Sequence, residues 1–375
     1  MEGYVFLEHF SSIKDFRQPG KVTYQLTDII FLTIAAVIAG ADSYEDVELF
    51  GRLKIDWLQS HNGFENGIPS WHTISRVMSL IDPKRFQKCF VSWMDACQKR
   101  SKGRLIAIDG KTLRSSYNRE SKDTAIHMVS AFCVENQQML GQLKTADHSN
   151  EITAIPELIE LLDMRDSLVT IDAMGCQTDI AEKIVNKGGD YLFQVKGNQP
   201  KLKEAFEKEL PAGKIISMEE SEKDAYETIE TGHGREEIRQ YFIFEPMGEL
   251  KRVYGHWAGV RKVGVSISFR KKSGDEVSSY SVRYYITSAD IDARRFGEAA
   301  RKHWGIESVF HWTLDVSFRE DDCQKYVNNA AENFSYIRRT ALNLIKRDKE
   351  SKGSVRNKRK RASWDEEYLA TVLAG

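Results

Sequence analysis

The stretch 105–114, LIAIDGKTLR, decides the fold because an apolar run of strand type ends on an acidic residue. Four apolar residues lead into Asp109, Gly110 follows, and the cations Lys111 and Arg114 come soon after. A carboxylate at the end of a buried strand is costly unless it is paired, hydrogen-bonded or bound to a metal. We therefore interpret this stretch as a strand that brings Asp109 to the edge of a sheet.

A second stretch, LVTIDA at residues 168–173, repeats the pattern and ends on Asp172. Ligands of open α/β sheets bind at the carboxyl ends of parallel strands. Two such strands side by side would place Asp109 and Asp172 at one edge, close enough to share a cation. The alternative is that either aspartate only caps the next turn or helix, a common use of Asp after a strand.

The pattern of apolar residues between 104 and 198 predicts the order β-β-β-α-β-α-β. The second and third strands surround a turn at Asn136-Gln137, and the helices are indicated by NEITAIPELIELLDM and QTDIAEKIVNKGG. Strands that alternate with helices require at least partly parallel pairing, since a parallel neighbour needs a crossover connection.

The regions on either side differ from this core. Residues 1–98 have helical periodicity, and the apolar run 29–39 is too short for a bilayer, which needs about 20 residues. We predict a buried helix over 27–40 that ends at Gly40. Two later helices of this region leave open a DNA-reading helix-turn-helix. Residues 200–289 predict a β-rich insertion, and helical periodicity returns after it.

Composition excludes several classes of protein. The 375 residues are 41% hydrophobic and 29% charged, as in globular proteins. Five cysteines without a CxxC pair argue against a disulfide framework and fit a reducing cytosol, so we expect a cytoplasmic protein without a membrane partner. The net charge is −1, but residues 346–361 hold nine Lys or Arg against two acids. This basic segment is either solvated or in contact with nucleic acid.

Glu307 is a third candidate acid. It falls on one face of a predicted helix that is mostly apolar: Phe296, Ala300, His303, Glu307, Phe310 and Leu314. Gly305, unfavourable within a helix, suggests a close approach at that point. A zinc site with His303 and His311, or a buried ion pair, are the alternatives. Three carboxylates without cysteine form a hard-oxygen site, for which Mg²⁺ or Mn²⁺ is the natural cation.

The topology resembles the ribonuclease-H-like fold of retroviral integrases and DDE transposases. At the level of motifs the chain is similar, over essentially all of residues 1–375, to the H-repeat-associated proteins, a bacterial insertion-sequence DDE transposase family. The motifs that carry this resemblance are IAIDGKTLR, HMVSAF, SNEITAIPELI, DAMGCQ, GDYLFQVKGNQ, HGREEIR and HWGIESVFHWTLDVSFREDD.

The resemblance implies a mixed α/β fold with a ribonuclease-H-like catalytic core, a β-rich insertion and an N-terminal helical domain. It implies that Asp109, Asp172 and Glu307 are the catalytic residues and hold two Mg²⁺ or Mn²⁺ ions. Related transposases carry Tyr, Arg and Lys along the final helix, where this chain has Ala300, His303 and Leu314. The implied boundaries are 1–98 for the helical domain, 99–199 with 290–345 for the core, 200–289 for the insertion and 346–375 for the basic segment.

The implied partner is double-stranded DNA, both transposon ends and target, bound by a homo-oligomer. The predicted DNA contacts are Lys111, Arg114, Lys196, Asn198, His233, Arg235 and His303. Lys111 or Arg114 could instead only pair with Asp109. The predicted function is therefore metal-dependent phosphodiester hydrolysis and strand transfer. An inactive or repurposed DNA-binding relative, or a Mg²⁺-dependent nuclease without strand transfer, are the alternatives.

Overall fold

The structure is a computed structural model that describes residues 5–61, 63–97, 103–116, 125–145, 151–232, 234–272, 277–324 and 327–375. The chain divides into two compact units. The first comprises Met1–Lys99, Gly110–Ser149 and Glu307–Gly375, and the second comprises Arg100–Asp109 and Asn150–Ile306. The domain boundaries expected from the resemblance stay a prediction.

The regular elements alternate in the predicted way through the middle of the chain. The strands are β1 Arg104–Thr112, β2 His127–Cys133, β3 Gln138–Lys144, β4 Ser167–Ile171, β5 Asp190–Val195, β6 Asp224–Gly232, β7 Arg235–Phe244, β8 Lys262–Lys272 and β9 Val277–Thr287. The helices are α1 Val5–Phe10, α2 Leu26–Ile38, α3 Tyr44–Leu53, α4 Ile55–His61, α5 Trp71–Leu80, α6 Pro83–Cys97, α7 Glu151–Leu161, α8 Thr178–Asn186, α9 Pro200–Glu209, α10 Ala212–Ser217, α11 Gly248–Val253, α12 Ala293–His303, α13 Trp312–Phe318, α14 Ala330–Arg347, α15 Val355–Trp364 and α16 Glu366–Ala374.

In the second unit the strand order is β1-β4-β5-β9-β8-β7-β6. Strands β1, β4 and β5 are parallel, and helices α7 and α8 lie in the connections that parallel neighbours need. All five residues of β4, SLVTI, are buried, as expected for a strand with neighbours on both sides. Strand β9 pairs antiparallel with β5, so the strands of the insertion continue the sheet that β1, β4 and β5 begin.

In the first unit β2 and β3 form an antiparallel hairpin, and β2 lies next to β1 in the strand order. Its turn contains Gln137 with a φ of 54°, at the predicted Asn136-Gln137 position. Helix α14 covers the free edge of β3. The Asn343 side chain donates to the Met139 carbonyl (2.9 Å) and accepts from the Met139 N–H (3.0 Å). It thereby satisfies the two peptide groups as a neighbouring strand would.

The order β3-β2-β1-β4-β5, with the last three strands parallel, is that of a ribonuclease-H-like core. Helices α1 to α6 precede this core, and the β-rich insertion follows β5. The predicted fold class is therefore confirmed, and so is the predicted order of elements in the core.

Helix α2 is the buried helix that the apolar run predicts. Twelve of its residues are buried, and the chain leaves the helix after Ile38, where Gly40 adopts a φ of 111° that favours glycine. None of the described helices is long and apolar enough to cross a membrane.

Two local expectations were wrong. Residues of the predicted polar linker form β6, which sequence patterning missed because this strand is mostly exposed and mostly polar. The long helix predicted around Glu307 is interrupted: α12 ends at His303, and Ile306–His311 form a π-helical turn. A Cβ at Gly305 would meet no heavy atom of the described residues within 4 Å, so the close approach expected at this glycine stays a prediction.

Candidate active site

The candidate site begins with two acids that follow adjacent parallel strands. The last paired residues of β1 and β4 are Ile108 and Ile171, and Asp109 and Asp172 are the next residues along. Both acids are half-buried and belong to the second unit. Since neighbouring strands lie about 4.8 Å apart, the predicted placement of the two aspartates at one sheet edge is confirmed.

Asp172 also caps the turn that follows it. Its Oδ1 atom accepts hydrogen bonds from the N–H groups of Met174 (3.0 Å) and Gly175 (3.3 Å). A Cβ at Gly175 would lie 2.2 Å from the Ile171 side chain, so this tight turn requires glycine. The capping alternative is thus correct for one carboxylate oxygen. Both bonds use Oδ1, which leaves Oδ2 outside the turn.

Asn198 supports the same turn from the end of β5. Its side-chain amide donates to the Ala173 carbonyl at 2.7 Å, directly after Asp172. Lys196 is exposed in the same connection, beyond the carboxyl end of the third parallel strand. Sequence reasoning assigned both residues to DNA. The structure places Asn198 against the turn, and the DNA contacts of both stay a prediction.

His303 lies at the end of α12 and contacts β4. Its Nδ1 is 3.0 Å from the hydroxyl of Thr170, two residues before Asp172. Burial lowers the pKa of His303 to about 4, so the ring is neutral at pH 7. It therefore offers hydrogen bonds and no positive charge. Sequence reasoning missed Thr170 because a strand threonine has no distinctive pattern.

Lys111 and Arg114, in the first unit, point to partners that the sequence did not suggest. The Lys111 ammonium is buried and bridges Asp315 (2.6 Å) and Asp321 (3.2 Å). Arg114 is largely exposed and lies 3.5 Å from Asp321. Burial raises the pKa of Asp315, and Lys111 opposes the rise. These charge pairs of Lys111 stabilise the fold, and its role at DNA stays a prediction.

Glu307 is the second residue of the π-helical turn and is exposed, contrary to the core-facing position expected for it. The expected position assumed one continuous α-helix, whereas α12 ends at His303 and Glu307 lies in a π-helical turn with more residues per turn than an α-helix. Phe310 and Leu314 of the same face are buried as expected.

A buried ion pair lies just beyond α13. Glu320 accepts two hydrogen bonds from the guanidinium of Arg339 on α14, and neither side chain is exposed to solvent. Burial raises the pKa of Glu320, but the charge and hydrogen bonds of Arg339 outweigh it and the net shift is downward. The acidic run at residues 320–322 was the only signal of this pair in the sequence.

No group of three or more His, Cys, Asp or Glu side chains in the described part of the chain is arranged to hold a metal ion. This covers the zinc alternative with His303, Glu307 and His311 and equally the three acids Asp109, Asp172 and Glu307, whose role as metal ligands stays a prediction. Burial lowers the pKa of His311 to about 3. His233 lies outside the described residues, and only the backbone of Arg235 is described, at the start of β7.

Comparison with known proteins gives matches along nearly the whole chain. The family model described as "Transposase DDE domain" matches residues 100–344, and the one described as "DDE_Tnp_1-associated" matches residues 7–94. The "H repeat-associated putative transposase YhhI" of Escherichia coli (strain K12) is 47% identical over all of this chain and 99% of its own length. The "Putative transposase YncI" of Escherichia coli O157:H7 is 47% identical over 98% of this chain and 94% of its own length.

Among solved structures, a piggyBac transposase synaptic complex with hairpin DNA aligns with 99% of this chain and 77% of its own. The TM-score of 0.44 and the identity of 10% are too low to bear on the fold. The sequence matches confirm the resemblance drawn from the motifs.

Proposed function

The chain belongs to the transposase DDE family, and we propose that it is a DNA transposase that hydrolyses phosphodiester bonds at the ends of an insertion sequence and transfers the resulting strands to target DNA. Its proposed substrate is double-stranded DNA. Because two ends must be joined to one target, the proposal includes an assembly of at least two copies on DNA.

The observation that carries the proposal is the position of Asp109 and Asp172. Each directly follows a residue of the pair Ile108 and Ile171, which lie opposite each other on the parallel strands β1 and β4. Carboxylates on adjacent strands lie within reach of a shared divalent cation. Glu307 is the third proposed ligand, on the strength of its place in the family motif.

The three proposed ligands, Asp109, Asp172 and Glu307, suit Mg²⁺ or Mn²⁺ because their donor atoms are all carboxylate oxygens. The turn after Asp172 supports this role, since two backbone N–H groups hold Oδ1 and orient the carboxylate. When bound, two such ions supply activation of the attacking water or 3′-hydroxyl and stabilisation of the departing oxygen. The task of Asp109, Asp172 and Glu307 is then to hold and orient them.

Positioning of the phosphate falls to neighbouring polar groups in this proposal. Lys196 is exposed beyond β5 and offers a cation to the backbone of DNA. Asn198 acts through the turn that it holds. His303, neutral at pH 7, acts through hydrogen bonds rather than charge.

The test is a plasmid assay with three acid variants and one matched control. A supercoiled plasmid that carries the cognate ends is incubated with Mg²⁺ and the wild type, Asp109→Asn, Asp172→Asn or Glu307→Gln. The control is Asp179→Asn, an exposed acid in the first turn of α8. We expect nicked and joined products from the wild type and the control, and a loss of at least about 100-fold in each acid variant.

The outcomes separate the competing functions. Nicking without joined products, even with a supplied 3′-hydroxyl end, would indicate a nuclease. DNA binding without any Mg²⁺-dependent or Mn²⁺-dependent product would indicate a binding protein. Activity that survives Asp109→Asn or Asp172→Asn would contradict the proposed site.

A further inference from the structure

Helix α15 carries most of the basic segment, and its buried face uses its cations within the protein. Arg359 donates to the Val37 carbonyl at the end of α2 (2.9 and 3.1 Å) and stacks on the ring of Phe318, 4.2 Å from its centroid. A cation at a helix C-terminus is favourable because the last carbonyls are free. Lys358 pairs with Asp348 at 3.2 Å. These contacts anchor α15 in the first unit.

Two other cations of α15, beside Arg359 on the helix surface, have no such partner among the described residues. Arg356 and Lys360 are exposed and lie one turn apart, and neither forms an ion pair with any residue that the structure describes. The helix sequence VRNKRKRASW contains no acid. The positive end of the helix dipole, capped by Ser354, lies beside Arg356 and adds to the local potential.

These two cations line a cleft of about 490 Å³ between α13 and α15. Three carboxylates also line it, but each of them has a cationic partner among the described residues. The three pairs are Asp315–Lys111 (2.6 Å), Asp322–Arg319 (3.2 Å) and Asp42–Arg359 (3.4 Å). The charge left uncompensated in the cleft is therefore that of Arg356 and Lys360.

We propose that this cleft binds the phosphate backbone of double-stranded DNA through Arg356 and Lys360. The inference rests on the proposed function for the identity of the polyanion, and it assigns a contact surface outside the three proposed metal ligands. Two cations about 6 Å apart along a helix suit successive phosphates of one strand.

The test compares two charge reversals of equal size. Arg356→Glu/Lys360→Glu removes the proposed contacts, and Lys201→Glu/Lys208→Glu makes the same change on exposed lysines of α9. Binding of a fluorescein-labelled duplex is measured by anisotropy over a series of salt concentrations. We expect the α15 variant to bind about tenfold or more weakly, with a slope of log K against log salt lower in magnitude by about 1.8. The α9 variant is expected to match the wild type.

Further measurements keep the result decisive. Unchanged melting temperatures show that both variants are folded, and Arg356→Lys/Lys360→Arg is expected to retain the wild-type slope. An α15 variant with wild-type affinity and slope overturns the proposal, as does a wild type that binds no duplex. An equal loss in the α9 variant also overturns it, because charge alone would then be responsible. If the wild type binds DNA through α15 but gives no product in the plasmid assay with Mg²⁺, the proposed contact surface stands. That result would contradict only the proposed transposition.

Discussion

The buried pair Glu320–Arg339 allows the sharpest prediction, because neither side chain is exposed. Arg339→Met keeps much of the volume but leaves the Glu320 carboxylate buried without its cation. Removal of one partner of such a pair costs about 3–5 kcal/mol. With about 2–4 °C per kcal/mol for units of this size, the melting temperature should fall by roughly 10 °C at pH 7.5.

The pH dependence should reverse between the two proteins. In the wild type the folded protein has a lowered pKa for Glu320. Glu320 therefore contributes to the free energy of unfolding at pH values above its pKa in the unfolded chain. This contribution is lost as the pH falls through its pKa in the folded protein. In Arg339→Met burial is opposed only by the smaller effects of the Arg338 and Lys111 charges, so we expect the pKa of Glu320 to rise. The variant should therefore recover stability as the pH falls from 7.5 to 5, whereas the wild type should not gain from this pair.

A double variant completes the assay, which follows tryptophan fluorescence during thermal and urea unfolding. Arg339→Met/Glu320→Met removes both charges and is expected to lie within about 1 kcal/mol of the wild type. A loss below about 1 kcal/mol in Arg339→Met, or a double variant no better than the single one, would refute the reasoning. Since Glu320 follows the segment that carries Glu307, the plasmid assay of the rescued double variant would also test whether this pair is needed for activity.

Three further predictions concern the rest of the chain. Thr170→Val removes the hydroxyl that faces His303 and should lower the free energy of unfolding by about 1–3 kcal/mol, and no loss in urea unfolding would contradict the contact. Asn198→Ala frees the turn after Asp172, so plasmid nicking should fall about tenfold while duplex affinity changes less than threefold; an equal fall in both would indicate a direct DNA contact. Burial raises the pKa of Glu332 to about 7, so stability should fall as pH rises from 4.5 to 7. Glu332→Gln should remove roughly 1–3 kcal/mol of the difference between pH 5 and pH 8, and a pH profile identical to the wild type would count against it.

Local patterns were sufficient for much of the core. Continuous apolar runs with terminal aspartates predicted β1 and β4, and the crossover helices between the strands required parallel pairing. The position of Asp109 beside Asp172 followed from these two facts. Periodicity failed for β6 because an exposed edge strand needs no apolar face, and it failed at Glu307 because a π-helical turn changes the number of residues per turn.

By itself, then, the sequence determined the order of the core elements, the pair of aspartates at one sheet edge and the membership of a transposase family. These features depend on local periodicity and on motifs, which are written along the chain. Only the tertiary structure decided the partners of the charged groups. Lys111 and Asp315 are 204 positions apart in the chain, and Glu320 and Arg339 lie on separate elements 19 positions apart. Such pairs depend on which side chains folding brings into a common low-dielectric environment, and no spacing along the sequence encodes that choice.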